Sequence, residues 1–181
     1  TEPRTVKLLG ETVVLTDRDL APIPPLPRGY TLALVEPADG TLKVKNTIVL
    51  RAYGAPRLLG FYVTGLSETP YVLLASGSFE GLPGLSLLIL LLDSRFNLTA
   101  MQWLPLSQPP TSVAATANAR IIAIGYPDGV VEVLGYNETG KRYVILWRYL
   151  LDASGVAKLG TVRLGAGLTG ILALSARGAF Q

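Results

Sequence analysis

Three stretches of the chain share one pattern: an apolar strand, a tight polar turn and a second apolar strand. The first runs from Leu32 to Val44 (LALVEPADGTLKV) and the third from Ile122 to Val133 (IAIGYPDGVVEV). Between them, Val72 to Leu91 (VLLASGSFEGLPGLSLLILL) carries a longer turn. Asp39-Gly40 and Asp128-Gly129 are turn dipeptides in which Gly supplies the positive φ that a tight hairpin needs. From Thr41 to Asn46 apolar and polar residues alternate, so Leu42 and Val44 share one face and Lys43 and Lys45 the other. Leu85 to Leu92 is apolar throughout and reads as a strand buried on both faces. Each hairpin is followed by a further strand candidate: Thr47 to Tyr53, Leu98 to Leu104 and Tyr143 to Leu150. Further apolar stretches separate the units: Leu58 to Thr64, Ser112 to Thr116 and Leu168 to Ser175. Leu32 and Ile122 lie 90 residues apart, two units of about 45.

The pattern therefore predicts an all-β chain built from four-stranded units. Residues 1–29 form an N-terminal strand region (one bulged strand or two short ones within Thr5 to Thr16) followed by a stiff Pro-rich connector, Ala21 to Pro27. Residues 30–181 form a repeat-built β domain of about three and a half units. Leu168 to Phe180 reads as the opening strand of an unfinished unit, and only Gly170 to Arg177 could be argued as a short helix.

The run Val113 to Tyr136 (VAATANARIIAIGYPDGVVEVLGY) resembles the inner-strand, turn, second-strand, Asp-Gly, third-strand order of WD-repeat-like β-propeller blades. The Gly-His pair and terminal Trp-Asp of WD repeats are missing, so the resemblance is one of pattern. It implies a propeller-like fold. Strands at this spacing also fit an antiparallel β-sandwich or jelly roll, the alternative architecture.

Composition narrows the chemistry. With 181 residues, the chain has the length of one domain. Apolar residues make up 49% and charged residues only 16%, so either the core is large or apolar surface is covered by other subunits. The net charge of +3 is small and the cations are scattered, which gives no nucleic-acid or membrane-surface footprint. No apolar run approaches the roughly 20 residues of a membrane-spanning helix. There is no Cys and no His, which removes thiolate chemistry and imidazole ligation. Scarce Met, Asn and Gln suggest a thermophile, and the low Lys and Glu content suggests its cell surface rather than its interior.

The short motifs mostly take their bland readings. Gly165 to Gly170 (GAGLTG) matches GxGxxG but lacks the following strand and acidic residue of a dinucleotide site, so it reads as a turn. Asp17 and Asp19 have no further acidic neighbours to complete a Ca²⁺ shell. In Lys141 to Tyr149, strand alternation puts Tyr143, Ile145, Trp147 and Tyr149 on one face and Arg142 and Arg148 on the other, which argues against a nucleic-acid groove. Asn97-Leu98-Thr99 and Asn137-Glu138-Thr139 are glycosylation sequons in equivalent loops.

These readings lead to a non-catalytic extracellular or cell-surface β-module that partners protein subunits, either copies of itself or the remainder of a longer chain. No catalytic residue, cofactor or metal is expected. One alternative is a filament or surface-layer subunit assembled by strand donation, with Val6, Leu8, Val13 and Leu15 on the donated strand. The other is a carbohydrate-acting enzyme using carboxylates.

Overall fold

The computed structural model describes residues 4–8, 11–15 and 26–176, with side chains described for 26–176. Among the described residues, fourteen β-strands form five antiparallel sheets. The N-terminal hairpin pairs β1 (Arg4–Leu8) with β2 (Glu11–Leu15). A long hairpin follows, β3 (Arg28–Ala38) with β4 (Thr41–Ala52). Two four-stranded meanders come next. One contains β5 (Arg57–Val63), β6 (Tyr71–Ser78), β7 (Leu85–Leu92) and β8 (Leu98–Pro105). The other contains β9 (Ser112–Ala115), β10 (Ile121–Gly125), β11 (Val130–Asn137) and β12 (Arg142–Leu150). A last hairpin pairs β13 (Val156–Gly165) with β14 (Leu168–Ser175).

The sheets lie face to face as layers. One face of β6–β7, carrying Val72, Leu74, Leu87, Ile89 and Leu91, packs on Ile122, Ile124, Leu134 and Tyr143 of the next sheet. Its other face, carrying Leu73, Ala75, Leu88 and Leu90, packs on Leu50 and Ala52 of β4. The far side of β9–β11 packs on Val156 and Leu159 of β13. Burial on both faces is why β6 and β7 read as continuous apolar runs rather than as alternation. The opening strands β5, β9 and β13 approach one another along one side, and β4, β8 and β12 each lead directly into the next opening strand. This is an all-β, propeller-like arrangement of four-stranded antiparallel sheets, as the sequence pattern implied.

Three sheet-level expectations are corrected. Thr47 to Tyr53 is not a separate strand: a register shift between Leu34 and Val35 lets β4 run unbroken through Asn46. The residue absorbed in that irregularity turns the strand without ending it. Leu168 to Ser175 is not an opening strand but the second strand of its hairpin, since β13 precedes it and lies against β9. Gly170 to Arg177 is not a helix: Gly170 to Ser175 lie in β14, whose alternating side chains bury Ile171 partly and expose Leu172 and Leu174.

The aromatic strand β12 departs from simple alternation as well. Val133 pairs with Trp147, whereas the next residue, Leu134, pairs with Ile145, so Leu146 is bulged out. One extra residue exchanges the faces of everything beyond it. Tyr143 and Ile145 therefore share the face of buried Leu134, while Trp147 and Tyr149 lie on the opposite face with Val133 and Val131. Arg142 and Arg148 are separated in the same way, and the expectation that they share a face is corrected.

Candidate functional site

The best-formed polar site sits where the turn between β10 and β11 meets the connection from β8 to β9. The Tyr126 N–H donates to the Val130 carbonyl at 3.0 Å, and the Tyr126 carbonyl accepts from Gly129 N–H at 3.1 Å and Val156 N–H at 3.0 Å. Asp128 Oδ1 accepts from Val130 N–H at 3.1 Å. Gly129 has φ +88°, and a Cβ there would stand 1.7 Å from the Asp152 carbonyl oxygen. Only Gly can hold that corner, because it needs both positive φ and backbone contact.

The turn fixes Tyr126 beside Glu132. Ile124, Glu132 and Arg148 are register neighbours across β10, β11 and β12. Glu132 therefore lies on the face where Ile124 and Leu134 are buried. Its side chain is 8% exposed, and Arg148 Nε donates to its Oε2 at 2.7 Å. The Tyr126 phenol lines the same cleft as this carboxylate. Burial first, and the Glu132 charge second, raise the Tyr126 phenol above its usual range. The hydrogen bond and charge of Glu132 raise the Arg148 guanidinium as well.

A cleft of about 550 Å³ opens over these groups, lined by Ser107, Gln108, Tyr126, Asp128, Glu132 and Arg148 among others. It brings together one guanidinium, two carboxylates and a phenol. Glu132 orients one edge of Arg148, whose side chain remains 64% exposed, leaving guanidinium donors facing the cleft. No group of three or more candidate metal ligands occurs among the described residues.

The motif residues fall elsewhere. Asn97 is exposed in the turn after β7, the third strand of its sheet, whereas Asn137 is the last residue of β11, the third strand of the next. Asn97 Oδ1 accepts from Asn46 Nδ2 at 2.9 Å, and Asn137 Oδ1 accepts from Gly140 N–H at 3.0 Å. Val6 is the register partner of Val13 in the β1–β2 pair, Leu8 that of Glu11, and Leu15 that of Arg4. Gly165 to Gly170 is the β13–β14 turn, with a strand on either side rather than a helix. Asp17, Asp19 and the connector up to residue 25 lie outside the described residues.

Sequence reasoning missed Tyr126, Glu132 and Arg148. One signal was available: a single carboxylate inside the otherwise apolar run VVEVL (Val130 to Leu134), which a buried strand tolerates only with a partner.

No protein-family model and no curated protein matches the sequence. Among solved structures, the chain is similar to a protein of Bacteroides fragilis NCTC 9343 named as a "putative 6-phosphogluconolactonase". The TM-score is 0.51 at 15% identity, over 78% of this chain and 36% of that one. The chain thus spans about a third of that protein's length, and the likeness is one of fold. It corrects the expectation of a non-catalytic extracellular scaffold. The neighbour sharing this sheet arrangement is named as an enzyme. The scaffold reading leaned on the missing His and Cys, but a carboxylate, a phenol and a guanidinium gathered in one cleft need neither.

Proposed function

We propose that this chain supplies the substrate cleft of a propeller enzyme that hydrolyses a phosphorylated sugar lactone, the substrate class in its structural neighbour's name. The observation that carries the reading is Arg148, held by buried Glu132 at 2.7 Å over the cleft that Tyr126 and Asp128 also line. A guanidinium fixed along one edge presents its remaining donors in a planar fork suited to phosphate. Asp128, exposed on the turn, is the carboxylate assigned to the proton. It takes a proton from water as the water oxygen bonds to the lactone carbonyl carbon. The ring C–O bond then breaks, and its oxygen recovers a proton to give the open hydroxy acid. Glu132 keeps Arg148 in place and takes no part in bond making.

The test is the rate of lactone opening above the spontaneous rate, measured with 6-phosphogluconolactone and with its unphosphorylated counterpart. Arg148→Gln should raise KM for the phosphorylated substrate and leave the other unchanged. Asp128→Asn should lower kcat by about 100-fold or more. A wild-type chain no faster than buffer, or an Arg148 variant that treats both substrates as the wild type does, overturns the reading.

A further inference from the structure

We infer that a second cleft, at the opposite end of the two complete sheets, binds a neutral sugar. This cleft, of about 510 Å³, lies between the β5–β6 loop and the β11–β12 turn. Both of its walls belong to complete four-stranded sheets, not to the flanking hairpins. It stands apart from the site beside Asp128. The Asp128-Gly129 turn precedes β11 and Asn137 to Lys141 follow it, so the 8-residue strand separates the two by about 25 Å.

One wall is an aromatic side chain that its neighbours hold still. Tyr136 meets the Tyr143 ring edge-on, with centroids 5.2 Å apart and planes at 67°. The Arg120 guanidinium lies 5.8 Å from the centre of the Tyr136 ring. Arg120 is itself held by an ion pair with Glu138, and Tyr143 by its hydroxyl on the Ala119 carbonyl at 2.7 Å. Gln102 of β8 clamps the two sheets together here. Its amide donates to the Tyr143 carbonyl at 2.6 Å and accepts the Tyr143 N–H at 2.8 Å. Tyr136 is therefore fixed before any ligand arrives, yet it is only half-buried and lines the cleft. A ring already in place loses little freedom on binding.

The facing wall is the β5–β6 loop, which the Thr64 hydroxyl organises. It donates to the Thr69 carbonyl at 2.6 Å and accepts from the Leu66 N–H at 3.1 Å. Ser67, Glu68 and Thr69 of this loop line the cleft. Lys141 answers from the other side, its Nζ 3.9 Å from Glu68 Oε2, with both side chains largely exposed. A pair this long and this wet is weak, so a ligand's hydroxyls can enter between its members.

The chemistry of these groups selects the ligand. Two carboxylates, Glu68 and Glu138, stand against two cations, Lys141 and Arg120, so neither a phosphate nor an ammonium group gains from the balance of charge. A hydrocarbon ligand would strip water from charged groups without replacing it. A sugar ring meets both demands. Its hydroxyls donate to the carboxylates and accept from the lysine, while its C–H face lies against the tyrosine.

The test is amide chemical-shift titration of the 181-residue chain with the methyl glycosides of glucose, galactose and mannose, and with glucose 6-phosphate. At least one neutral glycoside should bind with a Kd of about 1 mM, as expected for a ligand of this size. Its shifts should map to Leu66 to Thr69, Thr99 and Lys141, leaving Asp128 to Val130 unmoved. Tyr136→Leu should weaken binding about fivefold or more. Glu68→Gln and Lys141→Met, at exposed positions that folding tolerates, should each weaken it about threefold or more and decide the matter if the Tyr136 variant misfolds. No shift from any glycoside well above that Kd overturns the inference. So do shifts confined to the Asp128 turn, tighter binding of glucose 6-phosphate in this cleft, or full affinity in the variants.

Discussion

The Glu132 carboxylate accepts Arg148 Nε at 2.7 Å, yet only one of the two is out of water: the Glu132 side chain is 8% exposed and that of Arg148 64%. Such a pair is asymmetric. The buried carboxylate needs its cation more than the exposed cation needs the carboxylate. Arg148→Leu should therefore lower the melting temperature clearly, because it strands a buried charge. Adding Glu132→Leu should recover most of that loss by removing the charge as well. A double variant no more stable than Arg148→Leu alone would count against burial as the source of the coupling.

High pH should unfold the protein through its buried phenols. Burial raises Tyr143 to about 12, and Tyr126 is raised further in the same direction. A phenol with a raised folded-state pKa contributes stability that is complete below the unfolded value near 10 and is lost as pH rises through the folded value. The melting temperature should hold to about pH 9 and then fall steadily, with these two tyrosines ionising last in absorbance at 295 nm. Tyr143→Phe should reduce that slope. It should also cost about 1–2 kcal/mol at neutral pH, because the Tyr143 hydroxyl donates to the Ala119 carbonyl at 2.7 Å inside the core.

Low pH should loosen the turn after β7. Asp93 accepts from Asn97 N–H at 2.9 Å and Arg95 N–H at 2.8 Å, and these bonds, led by that from Asn97, lower its pKa. A lowered carboxylate contributes stability that is present above its unfolded value near 3.8 and lost as pH falls through the folded one. Amide exchange at Arg95 and Asn97 should quicken below about pH 4. Asp93→Ala should make it fast at every pH, and unchanged exchange in that variant would contradict the turn's dependence on this side chain.

Gly129→Ala should be among the most damaging single substitutions at a hairpin turn. The added carbon would meet the Asp152 carbonyl at 1.7 Å in a left-handed conformation, for a loss of about 3 kcal/mol or more. Gly40→Ala is the control. Gly40 also has positive φ, but nothing lies within 4 Å of its would-be Cβ, so only the conformational penalty of about 1 kcal/mol applies. Equal losses at the two sites would deny the backbone contact.

Much of the sheet structure was legible. The Asp-Gly turns, the alternation around Leu42 and the continuous run from Leu85 to Leu92 each report a local requirement, so β7, β10 and β11 could be read from residues close in sequence. The bulge at Leu146 was not legible. Nothing in RYVILWRYL distinguishes a strand that alternates throughout from one that gains a residue midway, because the extra residue is set by the register with β11.

By itself, then, the sequence determined that this chain is β-structure in recurring hairpins and that its chemistry uses neither thiol nor imidazole. Both follow from residue type and nearest neighbours. Only the tertiary structure decided that Tyr126, Glu132 and Arg148 meet in one cleft and that Trp147 lies on the opposite face from Tyr143. Each of these depends on pairing between strands, and pairing is fixed by which side chains exclude water together across the sheet, a property of no single segment.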